Sequence, residues 1–403
     1  MKAYKSFKFE LRPTKKQDNF FSQTVGCCRY VWNKGLELKK KMWDKEKKNI
    51  SRFELDKILT EDKSKLDWLR IPPSQALQQV NKNLDLAFKS LFRKKGGYPK
   101  FKKRGVNDNF RLPQGITLLQ QLSGKVGVVK LPKVGMVKFT KTREVEGKIR
   151  FVTIIRKCGK WYISFNCEVE VDVKKKNRGS HIGIDRGVVK FIQCSDGKEF
   201  GGFIVPEKIK KKLLRLQRKL AIKKKFSSNW RKLLKKIQKI YSYIANKRKD
   251  NAHKISTQLA KNHSLIVMED LSVANMTKSA KGTLEKPGKN VKAKSGLNRS
   301  ILNQGWHIFQ KLIEYKVLWN GGKVVYVNPK YTSQKCSRCG YISRENRKSQ
   351  AVFKCVECKN ELSADLNASK NILAEGHSVL ACGEETLVAS MNQELEIRKP
   401  HAV

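Results

Sequence analysis

The sequence predicts a multidomain protein that joins an α+β part to an α/β part. Between residues 109 and 172, short apolar segments alternate with glycine-containing turns, which is typical of a small antiparallel barrel. After residue 181, strand-like segments alternate with long amphipathic helices, which is typical of an α/β module. The chain has 403 residues, more than one hydrophobic core normally organises. We therefore expect several domains.

The net charge of the chain already narrows the classes of function that it could have. Lysine and arginine total 88 against 35 acidic residues, which gives a formal net charge of +53. A compact protein with this charge repels itself, so a polyanion is the expected partner, and nucleic acid is the default. The 39% hydrophobic content is sufficient for packed cores. A metabolic enzyme or a secreted disulfide scaffold fits this composition poorly.

The N-terminal region predicts a strand followed by helices. Phe7, Phe9 and Leu11 alternate with charged residues, and Pro13 ends this strand, which we expect to be the first of the barrel. Residues 15–48 and 52–62 have helical composition, so a helical module is inserted into the barrel. A further helix follows Pro72 and Pro73, with Ser74 as the expected N-cap. Its polar face is either solvated or contacts DNA, through Gln75, Gln78, Gln79 and Lys82.

Two basic regions are expected to contact nucleic acid. A loop of residues 94–104 mixes lysines with aromatics and includes Lys100 and Lys102. Residues 208–250 contain 18 basic residues and one acid, with apolar spacing that predicts two antiparallel helices turned near residues 226–229. Such a bias is too one-sided for a solvated, salt-bridged surface. The residues of this pair that we single out are Lys235, Lys236, Lys239 and Arg248.

Three acids occupy strand ends or a helix start. Asp185 closes a strand over 182–185, before a second strand over 189–194; Glu269 closes a strand over 265–269, and Asp365 precedes a helix over 367–373. Carboxylates brought together would repel unless divalent cations lay between them, and Mg²⁺ prefers such oxygen ligands. Two Mg²⁺ ions could activate water and stabilise a leaving oxygen in phosphodiester hydrolysis. This order of acids is the pattern of an RNase H-like fold.

Four of the ten cysteines predict a structural zinc site. Cys336 and Cys339 form one Cys-x₂-Cys knuckle, Cys355 and Cys358 form another, and 15 residues separate the knuckles. This spacing fits one Zn²⁺ bound by four thiolates, with no position open for catalysis. The segment just before the knuckles is either a core turn or a phosphate contact, through Lys330, Ser333 and Gln334.

Other features exclude or limit alternatives. The N-terminus lacks an apolar signal region and no run approaches about 18 apolar residues, so we expect a soluble, intracellular protein. No His-x-His pair occurs, which excludes a transposase centre of the histidine-metal, tyrosine-nucleophile type. Residues 277–300 predict a mobile basic loop, and the tail over 377–403 predicts disorder.

Motifs along nearly the whole chain resemble the TnpB family, the insertion-sequence-encoded, RNA-guided DNA nucleases related to type V CRISPR effectors. The resemblance extends from Tyr4 to about Gly376. It rests on the four cysteines and on these segments: 25–33 (VGCCRYVWN), 97–102 (GYPKFK), 183–187 (GIDRG), 246–250 (NKRKD), 269–271 (EDL), 328–334 (NPKYTSQ) and 365–368 (DLNA).

The resemblance implies an activity and its residues. The RuvC-like catalytic triad of the family falls on Asp185, Glu269 and Asp365, all acidic here. A guide RNA derived from the transposon end binds the protein, a short motif beside the double-stranded DNA target is recognised, and one centre cuts both strands in turn. We expect a monomer with one RNA, cytoplasmic in a prokaryote and nucleoid-associated when bound to DNA. The loop over 277–300 is expected to act as a lid.

The resemblance also implies a domain order. A wedge β-barrel is expected over 1–14 and 105–175, with a recognition helical module over 15–104. A RuvC-like nuclease domain is expected over 176–330 and 360–376, carrying a zinc ribbon over 331–359. Two rival functions remain: a transposition-associated DNA- or RNA-binding regulator without cleavage, against which the intact acids argue, and a transposase that joins DNA ends itself.

Overall fold

The computed structural model describes residues 2–119, 125–171 and 179–382. The chain divides into two compact units, residues 1–171 and 172–403, and each is described by itself. Among the described residues, none of the helices combines the length and the apolar character that a membrane span requires. The mixed α and β content that the sequence predicts is confirmed.

A seven-stranded sheet forms the first unit, in the order β2-β6-β7-β1-β5-β4-β3. All of its pairings are antiparallel, and the N-terminal strand lies in the middle of the order, as the alternation at Phe7 and Phe9 predicts. In the described residues the sheet is open, with β2 and β3 as its two edge strands, so the closed barrel stays a prediction. The strands are β1 (Lys2–Arg12), β2 (Asn109–Leu112), β3 (Thr117–Leu119), β4 (Val126–Leu131), β5 (Gly135–Thr140), β6 (Lys148–Lys157) and β7 (Lys160–Glu170).

Three helices are inserted between β1 and β2: α1 (Lys15–Glu46), α2 (Arg52–Lys65) and α3 (Ser74–Phe92). The prediction of Ser74 as an N-cap is wrong. Pro73 holds the cap position, and the Ser74 hydroxyl instead accepts a hydrogen bond of 2.9 Å from Lys63 Nζ. Gln78 is exposed, whereas Gln75, Gln79 and Lys82 are half-buried.

The aromatic basic loop after α3 packs on α1. Trp32 Nε1 donates a hydrogen bond of 3.0 Å to the carbonyl of Lys100. Asn33 bonds both the amide and the carbonyl of Lys102, at 2.7 and 3.1 Å. The Lys102 ammonium lies 4.1 Å from the ring centroid of Trp32. Lys102 therefore stabilises the fold of this unit, while the Lys100 side chain is exposed.

The second unit is built on a mixed five-stranded sheet in the order β10-β9-β8-β11-β12. Strands β8, β11 and β12 are parallel, and β8, β9 and β10 pair antiparallel. The predicted strand over 189–194 is shorter than expected, because the chain turns tightly at Gly187 and leaves Val189 92% exposed. The strands are β8 (Ser180–Asp185), β9 (Ile192–Cys194), β10 (Glu199–Phe200), β11 (His263–Glu269) and β12 (Lys323–Val327).

Five helices between β10 and β12 belong to this unit, counting described residues alone. The first two are the predicted antiparallel pair, but the turn lies at residues 222–227, earlier than the predicted 226–229, because the second helix begins at Ser228. The prediction of a mobile loop over 277–300 is wrong, because its second half is helical. The helices are α4 (Glu207–Ala221), α5 (Ser228–Asn262), α6 (Val273–Met276), α7 (Val291–Gln304) and α8 (Trp306–Trp319).

Polar contacts hold the helix α7 in place. Lys294 Nζ donates to the carbonyl of Met276 at 2.8 Å, and Asn298 Nδ2 donates to the carbonyl of Thr277 at 2.9 Å. Only Ile301 of this helix is buried. Since no apolar stripe marks the segment, the periodicity of the sequence could not indicate a helix.

A hairpin of β13 (Val352–Lys354) and β14 (Glu361–Ser363) leads into the last helix, α9 (Ala364–Ala381). Two glycines let α9 approach the sheet closely. A Cβ on Gly183 of β8 would lie 2.2 Å from the carbonyl oxygen of Ser369, and one on Gly376 would lie 2.4 Å from Val267. The helix continues to Ala381, so the prediction of disorder from residue 377 is wrong for 377–381; residues 383–403 lie outside the described ranges.

Candidate functional site

Three elements bring the predicted acids to one edge of the second sheet. Asp185 is the last residue of β8 and Glu269 the last of β11. These strands are parallel neighbours, and the pair Ile184 and Met268 lies in register immediately before the two acids. Asp365 is the second residue of α9, which packs across β8 and β11. The carboxyl ends of two strands and one helix start therefore converge.

The pKa of Asp185 reflects the closeness of the other two acids. Burial, together with the negative charges of Glu269 and Asp365, raises the pKa of Asp185 to about 7, against the opposing positive charge of Arg347. Burial also raises the pKa of Glu269, while a hydrogen bond from Thr332 and the charge of Arg186 oppose that rise. Three carboxylates within electrostatic reach in a buried setting are costly when ionised, and a bound cation would relieve their repulsion.

Arg186 lies behind the acids and is 5% exposed. Its Nη2 donates a hydrogen bond of 2.5 Å to the backbone carbonyl of Glu269, so the side chain joins the end of β8 to the end of β11. Among the described residues, its Nε and Nη1 have no hydrogen-bond partner. The guanidinium thus supplies buried positive charge within electrostatic reach of Asp185 and Glu269.

A threonine holds the Glu269 carboxylate. Thr332 Oγ1 donates a hydrogen bond of 2.6 Å to Oε1 of Glu269, and both residues are buried. The segment of Thr332 is itself held by α9: Asn371 Nδ2 donates to the carbonyl of Thr332 at 2.9 Å, and Asn367 Nδ2 donates to the carbonyl of Lys335 at 2.8 Å. The conformation of the Glu269 side chain is therefore coupled to the helix that carries Asp365.

The four predicted cysteines meet in space. Their sulfur atoms all lie within 4.8 Å of one another, and in the described part of the chain they are the one such group of three or more potential metal ligands. The Cys336–Cys358 and Cys339–Cys355 sulfur distances are both 3.6 Å. Tetrahedral zinc with bonds of about 2.3 Å requires sulfurs about 3.8 Å apart. The cluster fits a zinc site, whereas the three carboxylates are spaced more widely.

The cysteine cluster is linked to the acids through the helix α9 and through Arg347. Ser337, inside the first knuckle, donates its amide to Oδ1 of Asn367 at 2.9 Å. Asn346, between the knuckles, is fully buried and bonds the carbonyls of Gln334 and Tyr341. Arg347 follows it and lies within electrostatic reach of Asp185. Folding of the cluster thus determines where residues 332–347 lie.

The predicted nucleic-acid contacts have different surroundings. Lys235, Lys236 and Lys239 are exposed on α5. Arg248 is half-buried and donates to Asn303 Oδ1 at 3.1 Å, so it ties α5 to α7. Before the knuckles, Lys330 is exposed, and Ser333 and Gln334 are half-buried. The structure does not bring these residues to the acids as one cluster.

Family models match three parts of the chain. Residues 306–372 match a model described as a Cas12f1-like TNB domain, residues 164–280 one described as a probable transposase, and residues 1–48 one described as a helix-turn-helix domain. The chain is 47% identical over 386 residues to the putative RNA-guided DNA endonuclease InsQ of Escherichia coli (strain K12), covering 95% of each protein. The chain belongs to the TnpB family.

Another relative, a putative RNA-guided DNA endonuclease of Streptomyces pristinaespiralis, is 28% identical over 384 residues, and the match covers 94% of this chain and 91% of that protein. The fold is similar to that of a Cas12f1–sgRNA–target DNA complex, with a TM-score of 0.56 at 15% identity over 89% of this chain and 83% of that chain. It is also similar to the mini-RNA-guided endonuclease CRISPR-Cas_phi3, with a TM-score of 0.50 at 12% identity over 93% and 92%.

Sequence reasoning missed three residues of the site in this TnpB chain. Thr332 and Arg186 lie inside motifs that the sequence singled out, but each contact spans dozens of residues along the chain. Arg347 lies between the cysteine knuckles and outside any motif. A buried partner of a strand-end acid has no spacing signal of its own, so only the fold reveals it.

Proposed function

We propose that the protein is an RNA-guided DNA endonuclease that cuts with Asp185, Glu269 and Asp365. Membership of the TnpB family supports this, as do relatives that carry that activity in their names. The observation that carries the proposal is the convergence of three acids at one sheet edge, with the pKa of Asp185 raised to about 7 by burial and by its two acidic neighbours. Clustered acids with perturbed pKa values are typical of catalytic sites.

The second unit is proposed to be a RuvC-like nuclease domain of the RNase H type. Its strand order, with an antiparallel hairpin beside parallel strands, supports this. The wedge barrel is proposed over 1–14 and 105–175 and the recognition helices over 15–104; the first unit, which ends at Val171, holds these ranges except residues 172–175. The nuclease boundaries stay as proposed from the sequence, 176–330 with 360–376, and the zinc ribbon is proposed over 331–359.

Mg²⁺ is the proposed catalytic metal, two ions held by Asp185, Glu269 and Asp365. The donor set fits, because all three ligands are carboxylates and their mutual repulsion favours a divalent cation. When bound, Mg²⁺ supplies an activated water and stabilises the leaving oxygen of the cut strand.

The side chains around the acids prepare them for that metal. Thr332 orients Glu269 by donating a hydrogen bond to Oε1. Arg186 bonds the backbone at Glu269 and keeps the two strand ends together. Without a cation, Asp185 holds its proton up to about neutral pH, because burial and two acidic neighbours oppose its ionisation. Arg347 opposes that effect and favours the ionised form.

The zinc ion is proposed to be structural. Four cysteines would fill its coordination, which leaves no open position for substrate. Its part in cleavage would be to fold residues 336–358 so that Thr332 and Arg347 reach the acids. We expect zinc loss to disturb cleavage through position rather than chemistry.

The proposed partners are a guide RNA derived from the transposon end and a double-stranded target DNA. The charge of +53 supports two polyanionic ligands. The exposed Lys235, Lys236 and Lys239 are proposed to contact phosphates. Motif recognition beside the target is proposed for the face of α3 with Gln75, Gln78, Gln79 and Lys82, where Gln and Lys can contact base edges.

One experiment separates this function from a binding regulator. The protein is expressed with its native flanking DNA, the co-purifying RNA is sequenced, and plasmids with a randomised motif beside the guide match are offered with Mg²⁺. We expect cleavage that Asp185→Ala abolishes while RNA binding is retained. Asp196→Asn, an acid in the β9–β10 turn paired with Lys198, is the matched control and should cut normally. Recovery of no RNA, or RNA without cleavage by the wild type, contradicts the proposal.

A further inference from the structure

The turn between α4 and α5 exposes large apolar side chains. Ile222 is 82% exposed and Phe226 is 69% exposed. Single exposed apolar residues are common on protein surfaces and need no explanation. Here, however, the backbone conformation and the surrounding charge both distinguish the position.

Phe226 adopts a conformation that disfavours its own side chain. Its φ is +67°, in the left-handed region where glycine and asparagine are usual and a bulky residue is an outlier. The next residue, Ser227, caps α5 by accepting a hydrogen bond of 3.2 Å from the amide of Trp230. The rings of Phe226 and Trp230 lie with centroids 5.6 Å apart. We call Phe226 and Trp230 the aromatic tip.

The charge around the aromatic tip is positive throughout. Lys223, Lys224 and Lys225 precede it, Arg231 and Lys232 follow it, and no acid occurs between Glu207 and Asp250. In the residues that the structure describes, none of these five cations forms an ion pair. An apolar protein partner or a neutral surface would leave this charge uncompensated, whereas a phosphate backbone neutralises it.

The aromatic tip stands away from the core of its unit. Helix α5 first joins the main apolar core of the unit at Ala252, which lies 24 positions after Ser228 along the helix. At 1.5 Å per residue this is about 36 Å. Between these points α5 packs on α4, burying Ile237 and Ile244, and the hydrogen bond from Arg248 to Asn303 of α7 lies near the Ala252 end. A ligand at the tip therefore lies outside the core that carries the acids.

We propose that the aromatic tip stacks on an unpaired base of the RNA that the protein carries, while the adjacent lysines contact its phosphates. The inference rests on the proposed function, because it presumes a bound RNA. Exposed aromatics beside cations are the standard means of binding unpaired nucleotides, since every base offers a π-face. Unpaired bases are also the parts of folded RNA that side chains can reach. A paired duplex hides its bases and offers no such contact.

The test measures affinity with the full-length protein. The probes are a fluorescent 20-nucleotide single-stranded RNA and the same RNA in a duplex, and the variants are Phe226→Ala and Phe226→Tyr. The control is Phe53→Ala, a phenylalanine of similar exposure, 73%, flanked by Glu54. Stacking is worth about 1 to 3 kcal/mol per base, so Phe226→Ala should weaken binding to the single strand at least about five-fold.

The pattern across variants decides the outcome. We expect Phe226→Tyr and Phe53→Ala to bind as the wild type does, the duplex affinity to stay unchanged in Phe226→Ala, and the salt dependence of Phe226→Ala to match the wild type because no phosphate contact is lost. Irradiation of the purified protein with its own RNA should cross-link a nucleotide to the peptide that contains Phe226 or Trp230.

Other results overturn the proposal. An unchanged single-strand affinity in Phe226→Ala does so, and so does an equal loss on the duplex. A cross-link at the tip that appears only after target DNA is added, and carries a deoxynucleotide, assigns the tip to DNA instead. A wild-type protein that carries no RNA overturns the proposed function as well, whereas RNA-guided cleavage with an inert tip overturns this inference alone.

Discussion

The hydroxyl of Thr332 donates a hydrogen bond of 2.6 Å to Oε1 of Glu269. Its backbone carbonyl accepts from Asn371 on α9, the helix that begins at Ala364 and carries Asp365. One residue between β12 and the first cysteine knuckle thus contacts two of the three elements of the acidic site. These contacts give the segment 328–334, which contains no acid, a role in holding the acidic site together.

Replacing Thr332 by valine should impair cleavage more than it impairs folding. Valine keeps the volume but removes the donor, so Oε1 of Glu269 loses its partner in a buried setting. Such a loss costs about 1 to 3 kcal/mol, so we expect roughly ten-fold slower cleavage and a higher Mg²⁺ requirement. The measurement is the cleavage rate across a Mg²⁺ titration. Thr332→Ser retains the hydroxyl and should cut nearly as the wild type does; a Thr332→Val protein with an unchanged Mg²⁺ dependence contradicts this role.

Replacing Asp185 by asparagine should stabilise the Mg²⁺-free protein in a pH-dependent way. The pKa of Asp185 in the folded protein, about 7, lies above the ordinary aspartate value of 3.8, so stability present at acidic pH is lost as the pH rises from about 4 to 7. Asparagine carries no charge and escapes this loss. We expect the difference in Tm, variant minus wild type, to be small at pH 4.5 and to reach several degrees at pH 7.5. A difference that is flat with pH would show that Asp185 ionises freely.

Replacing Gly183 by alanine should displace α9. The new Cβ would lie 2.2 Å from the carbonyl oxygen of Ser369, a contact that only backbone movement relieves. Overpacking of this kind costs about 1 to 3 kcal/mol, and here it would also move Asp365. We expect a lower Tm and at least ten-fold slower cleavage. Gly201→Ala, which meets no atom within 4 Å, is the control. Equal cleavage rates in the two variants would mean that the seating of α9 does not determine the site.

Replacing Cys339 by serine should remove zinc and slow cleavage indirectly. The loss of one thiolate from a four-cysteine set weakens binding and unfolds the knuckles that hold Thr332 and Arg347 near the acids. Bound zinc and cleavage rate are both measured. Cys382→Ser, at an exposed cysteine outside the cluster, should change neither. Normal cutting by a Cys339→Ser protein that retains no zinc is incompatible with a structural role for the metal.

Neutralising the exposed lysines of α5 should flatten the salt dependence of RNA binding. Each lost phosphate contact lowers the logarithmic slope by about 0.7 to 0.9, so the combined change of Lys235, Lys236 and Lys239 to Gln should lower it by about 2 to 3. Affinity is measured over a series of salt concentrations. Lys254→Gln, whose ammonium already pairs with Asp250 at 3.0 Å, should leave the slope unchanged. An unchanged slope in the triple variant would mean that these lysines are solvent-exposed and contact no phosphate.

The sequence predicted those parts of the site that have spacing signals. The interval between Cys336 and Cys339 indicates a metal knuckle. The positions of Asp185 and Glu269 at the ends of apolar strands indicate an acidic site. The structure brings the cysteines together, and it brings the two strand ends together as parallel neighbours. The basic helix pair was predictable for the same reason, because its apolar residues keep a helical period.

The remaining features depend on contacts that no local pattern encodes. Thr332 reaches Glu269 across 63 positions of the chain. Helix α7 is held by polar contacts from Lys294 and Asn298. Because it does not depend on a wide apolar stripe, its sequence does not show the pattern that predicts a helix. The Ser74 hydroxyl accepts a hydrogen bond from Lys63 of another helix and does not cap its own helix.

The most direct test of the central claim is to exchange the guide. The target-matching segment of the co-purifying RNA is replaced by a new sequence, and two plasmids, one matching the old segment and one matching the new, are incubated with the reconstituted protein and Mg²⁺. We predict that the double-strand cut moves to the new match and that Asp185→Ala abolishes it without loss of RNA. A cut that stays at the old site, or that persists in Asp185→Ala, would contradict RNA-guided cleavage by the three acids.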